Sequence, residues 1–95
     1  MVDKVKSKIM YLTTKACGAG TAGMFARELG EGNATWEQIL KFMVGAAIPS
    51  PELLRGVLRS PDTTQNGRAW ARACLKEIEK AAAEPSVDLD VERRL

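Results

Sequence analysis

Trp36 to Ile48, WEQILKFMVGAAI, is the most apolar stretch of the chain, with nine apolar side chains and three polar ones, Glu37, Gln38 and Lys41. At 3.6 residues per turn the polar three fall on one narrow face, which Gly45 continues. Trp36, Ile39, Leu40, Phe42, Met43, Val44, Ala47 and Ile48 cover the rest, so the stretch reads as a central helix packed on several sides. Thr35 and Gln38 have the capping-box spacing that starts a helix. Glu37 and Lys41 stand in the favourable i,i+4 order, and Pro49 is the expected stop. The stretch is too short to span a bilayer, which takes about 20 residues.

Working outward, Val2, Val5, Ile9, Leu12 and Ala16 recur at helical spacing. A strand competes over residues 2–11, because Lys4, Lys6 and Lys8 alternate with Val5, Ser7 and Ile9. The helix accounts for more of the segment. Gly18-Ala19-Gly20 breaks the chain, and Thr21 caps a short helix through Leu29 that sets Met24, Phe25 and Leu29 on one face. Ser50, Pro51 and Glu52 have the order of an N-cap, a first-turn proline and a first-turn acid. Behind them Leu53, Leu54, Val57 and Leu58 oppose Arg55 and Arg59. After a polar loop, Asp62 to Gly67, a last helix from Arg68 to Ala83 turns Trp70, Cys74, Leu75, Ile78 and Ala82 inward. The fold class is therefore all-α: a small orthogonal bundle of about five short helices around residues 36–48. Residues 1–84 form one helical domain, and 85–95 are a flexible C-terminal tail. Its alternation of Val87, Leu89 and Val91 with Asp88, Asp90 and Glu92 suits strand addition to a partner's sheet edge or a disordered end.

Composition narrows the chemistry. The chain of 95 residues has 45% hydrophobic residues and a net charge of +2, the profile of one soluble globular domain without a marked electrostatic bias. It contains no histidine, which removes the imidazole base of Ser-His-Asp and Cys-His catalysis. Cys17 and Cys74 are far apart in sequence, too few for a zinc site or a disulfide scaffold, and free thiols in a reducing compartment are expected. The charged start, MVDKVKSK, runs into no long apolar segment, so a cytoplasmic protein with no membrane partner is expected. No catalytic residue, metal or cofactor is assigned.

Gly18, Gly20 and Gly23 spell G-x-G-x-x-G, with Glu37 near where a ribose-binding acid would stand. Over about 20 residues this resembles the dinucleotide-binding fingerprint of nicotinamide and flavin enzymes. The segment before Gly18, TTKAC, is no apolar strand, so a flexible glycine turn between helices is the expectation. A second resemblance covers residues 22–41. Phe25-Ala26-x-x-Leu29-Gly30, then Trp36 and Ile39, resembles the helix-turn-helix family of DNA-binding domains, with Glu31 and Gly32 departing from its pattern. The resemblance implies base contacts by Asn33, Glu37, Gln38 and Lys41.

Arg68, Arg72, Lys76 and Lys80 recur every four residues, and Arg55 and Arg59 form a similar pair on the preceding helix. Such a row suits docking on an acidic protein face or on phosphates. Taken together, the expectation is a small non-enzymatic regulatory or inhibitory adaptor. It binds a protein partner through Arg55, Arg59, Arg68, Arg72, Lys76 and Lys80. The alternatives are a helix-turn-helix DNA-binding regulator using Asn33, Gln38 and Lys41, and a structural or assembly subunit. Surplus apolar surface points to a homodimer.

Overall fold

The structure, a computed structural model, describes residues 2–83, with side chains from Lys4 onward. The tail expected over 85–95 and its strand-adding alternation lie outside the described residues. Five helices follow in order: α1 (Val2–Cys17), α2 (Ala22–Glu28), α3 (Trp36–Met43), α4 (Pro51–Arg59) and α5 (Gln65–Ala83). All regular structure among the described residues is helical, as the periodicities predict, and the competing strand over residues 2–11 is helix α1.

The caps are largely those written in the sequence. The Thr21 and Ser50 hydroxyls accept from the N–H groups of Met24 and Leu53. Thr35 and Gln38 close a reciprocal capping box at α3. For α5, the Thr64 carbonyl accepts from Arg68 N–H at 2.9 Å and its hydroxyl from Gly67 N–H at 3.1 Å, so this helix begins earlier than Arg68.

Helix α3 departs from expectation at its end. It stops at Met43 rather than Ile48, because Gly45 takes a left-handed φ of +74°. Ala46 N–H then reaches Lys41 O at 2.8 Å and Gly45 N–H reaches Phe42 O at 3.3 Å, a Schellman closure. Pro49 is buried in the connection that follows. Nor is α3 covered on every side. Ile39 and Phe42 are buried, whereas Trp36, Leu40 and Val44 face solvent.

The core gathers Ile9 from α1, Phe25 and Leu29 from α2, Ile39 and Phe42 from α3, Leu54 and Val57 from α4, and Trp70, Ala71 and Cys74 from α5. Met24, expected on one face with the buried Phe25 and Leu29, is exposed, and so is Ala82, expected to face inward. Trp70 occupies the junction. Its ring meets Phe25 edge-on at 5.5 Å and stacks on Phe42 at 6.1 Å, while its Nε1–H donates to Thr13 Oγ1 at 3.0 Å. Helix α5 packs along α1 and α4, and α1 also packs on α3. The pair α1/α5 is antiparallel: Asn66 bonds Ala16 O at 2.8 Å and Trp70 bonds Thr13, so numbers rise on one helix as they fall on the other.

The connection between α4 and α5, with the first turn of α5, is a clasp. Thr63 Oγ1 bridges Leu29 O (3.1 Å) and Val57 O (2.5 Å). The Glu28 carboxylate accepts from the Thr64 hydroxyl at 3.1 Å and from the Asn66 amide at 3.0 Å. Gly67 lets the end of α2 approach closely, since a Cβ there would stand 2.7 Å from Glu28 O.

Candidate functional site

Among the described residues the glycine fingerprint has no sheet to serve. Gly18 (φ +57°) ends α1 and Gly20 lies in the expected turn between helices, while Gly23 lies inside α2. The dinucleotide fingerprint needs a strand before its first glycine, and α1 stands there instead.

Both thiols are raised above their ordinary value. Burial, with Glu77 adding to it, pushes the Cys74 thiol up to about 12. Burial and then Glu28 raise Cys17, which points its Sγ at Met43 Sδ at 3.8 Å. Both cysteines are free. Among the described residues no group of His, Cys, Asp or Glu is set to hold a metal ion, and no helix is long and apolar enough to cross a membrane. A depression between α2 and α3, lined in part by Met24, Arg27, Glu31 and Trp36, is wide open to solvent.

The DNA-contacting residues implied by the helix-turn-helix resemblance divide. Ala26 and Ile39 are buried where α2 and α3 meet, as that family's packing requires. Asn33, however, is half-buried, donates to Leu29 O at 3.0 Å and fills the space beside Gly56. Gln38 Oε1 accepts from Thr35 N–H at 2.9 Å. Both amides are engaged in the fold, while Glu37 and Lys41 are exposed. Beside them α3 exposes Gln38 and the apolar Leu40, while Ile39 is buried.

The six basic candidates also divide. Arg68 is half-buried and turned onto α4, donating to Leu58 O and Ser60 O at 2.7 Å each. Its guanidinium thereby satisfies two carbonyls at the α4 terminus. Arg72, Lys76 and Lys80 are exposed on α5, and Arg55 and Arg59 are exposed on α4.

Beside the α5 row lies one that the spacing also encodes. On α1, Lys4, Lys8, Tyr11 and Lys15 recur at intervals of 4, 3 and 4, are all exposed, and stand on the far side of the helix from Ile9. Lys15 Nζ sits 5.7 Å over the Tyr11 ring. Helix α1 holds four lysines against one aspartate, so the charge excess concentrates here. Helices α1 and α5 pack together, and the rows on both are exposed to solvent.

The second surface is apolar. Trp36, Leu40 and Val44 form an i, i+4, i+8 row on α3 with exposures of 54%, 40% and 68%, and Met24 on α2, 57% exposed, lies beside Trp36. Grouped apolar exposure of this kind is what makes the surface a candidate, in contrast to apolar residues exposed singly.

Comparison with known proteins adds no relative: no protein-family model, curated protein or solved structure matches the chain.

Proposed function

We propose that this is a small non-enzymatic adaptor, of regulatory or inhibitory type, that binds an acidic face of a protein partner in the cytoplasm. The observation that carries the reading is the exposure of basic rows on both helices of the packed α1/α5 pair: Lys4, Lys8 and Lys15 on α1, and Arg72, Lys76 and Lys80 on α5. Tyr11, 59% exposed within the α1 row, supplies the amphipathic ring on which protein interfaces draw. Two free thiols suit a reducing compartment. The absence of histidine and the two raised thiols support a role without catalysis.

Capture from the native cell with tagged wild type and with the Arg72→Glu/Lys76→Glu variant tests this. The expected result is a protein held by the wild type, lost in the variant and eluted by salt, since exposed charges are screened over about 8 Å at physiological ionic strength. Capture insensitive to both the variant and salt overturns the reading.

A helix-turn-helix DNA-binding regulator is the second reading, favoured by the packing of Ala26 and Ile39 where α2 meets α3. Sequence-selective duplex binding lost on Lys41→Ala would put it first. Discrimination should then reach roughly 1–3 kcal/mol per mismatched base pair.

A further inference from the structure

The clasp contains the pair Asn66-Gly67, whereas Asn33, the other asparagine of the chain, is followed by Ala34. An asparagine before a glycine is a chemically labile arrangement, because no Cβ shields the nitrogen that follows. We propose that Asn66 is a site of spontaneous deamidation, slowed by the first turn of α5, and that the product opens the clasp.

The packing of α2 on α5 is what places a glycine after Asn66. A Cβ at Gly67 would stand 2.7 Å from Glu28 O, a backbone atom. Asn66 gives its amide hydrogens to Ala16 O at 2.8 Å and to Glu28 Oε1 at 3.0 Å. It thereby joins the start of α5 to the C-terminal ends of α1 and α2.

In the reaction the Gly67 nitrogen loses its proton to hydroxide and bonds to Asn66 Cγ. The Cγ–Nδ2 bond breaks, ammonia leaves with a proton from water, and a five-membered succinimide remains. Water then opens the ring at either carbonyl and leaves aspartate or isoaspartate. In the folded chain both reacting groups are tied. Gly67 N–H donates to Thr64 Oγ1 at 3.1 Å, and the amide is held by its two acceptors. Asn66 is nevertheless exposed to water and is the second residue of α5, at a helix end that opens more readily than the core. Opening of that one turn frees both groups.

The product does not fit where the amide stood. A carboxylate has no hydrogen for Ala16 O and would face the Glu28 carboxylate at hydrogen-bonding distance. It would also lie at the C-terminal ends of α1 and α2, whose dipoles oppose a negative charge. The N-terminus of α5 favours an acid, but Glu28 and the two opposing helix ends act together against it. Isoaspartate also adds a carbon to the backbone, which breaks the helical repeat.

Peptide mass mapping of the full chain in mildly alkaline buffer, native and in urea, tests the gating. Asn66 should convert in both, at least roughly tenfold more slowly in the native chain, where the rate follows the population of the opened turn. In urea it should convert ahead of Asn33. Equal rates in the two states, no conversion in the native chain, or Asn33 leading in urea overturns the inference. Melting temperatures test the consequence. Asn66→Asp should melt below wild type, and adding Glu28→Gln should recover most of the loss, because the new amide can donate to the carboxylate. An Asn66→Asp chain that melts with wild type, or a loss that Glu28→Gln leaves unchanged, overturns the opening of the clasp.

Discussion

The Trp70 indole donates its one hydrogen to the hydroxyl of Thr13, 3.0 Å away, and both residues are buried. That bond ties α5 to α1 at the point where Trp70 also meets Phe25 and Phe42. A buried indole N–H needs a partner. Thr13 supplies it from a helix face otherwise lined by Ile9 and Ala16.

Thr13→Val should therefore destabilise the fold by about 1–3 kcal/mol, the usual penalty for an orphaned buried donor. Trp70→Phe should cost more, because it removes aromatic contacts as well. Urea unfolding of the two single variants and the double variant closes a thermodynamic cycle. The double variant should be less destabilised than the sum, and strict additivity would mean that the bond does not couple the two helices.

Gly67→Ala should destabilise the protein, against the usual gain of about 1 kcal/mol from alanine in a helix. The new methyl would stand 2.7 Å from Glu28 O, a backbone atom that cannot swing aside, and 3.0 Å from Thr63 Cγ2. A loss of about 1–3 kcal/mol is expected for such overpacking. Gly23→Ala meets only ordinary contacts, at 3.7 Å and 4.0 Å, and should be neutral or mildly stabilising. Parallel thermal melts of the two variants compare them directly, and equal shifts would contradict the close approach.

Arg68 should behave unlike the other cations of its row. Arg68→Lys loses the fork that reaches Leu58 O and Ser60 O together, so it should lower stability by about 1–2 kcal/mol despite keeping the charge. Arg72→Ala and Lys76→Ala, both at exposed positions, should stay within about 0.5 kcal/mol of wild type. Denaturant midpoints decide it, and a silent Arg68→Lys would mean that α4 does not depend on this cap.

Cys74 should make the fold sensitive to alkali. Its folded value of about 12 lies above the ordinary 9.0, so between them the folded state holds a proton that the unfolded state has released. The unfolded state then binds fewer protons, and stability falls as pH rises through that window, after being fully present below pH 9. Cys74→Ala should flatten the decline while lowering stability overall through the cavity it leaves. With a thiol reagent near neutral pH, Cys74 should stay silent until the protein is unfolded. Rapid native labelling at Cys74 would show that the core is open there.

Much of the fold is legible in local pattern. Thr21, Thr35 and Ser50 cap the helices they precede, and the stripe of Ile9, Leu12 and Ala16 does face the core. These features are set within one or two helical turns, where a residue's spacing and chemistry suffice. The end of α3 was equally local, because a glycine after Val44 is a C-terminal signal in its own right. Pro49 draws attention from it only by being the stronger breaker.

The candidate surfaces lie at the other extreme. Periodicity groups Trp36, Leu40 and Val44 with Ile39 and Phe42 as one apolar helix, and it groups Arg68 with Arg72, Lys76 and Lys80 as one basic row. Tertiary packing then divides each set. Trp70 and the rest of the core cover Ile39 and Phe42 but leave the Trp36 row open, and the end of α4 takes Arg68 out of its row. The sequence by itself determined the five helices, most of their caps and the residues that share a face. Only the tertiary structure decided which faces stay exposed. The helical period is a property of one segment, whereas exposure depends on whether a segment distant in sequence packs over it.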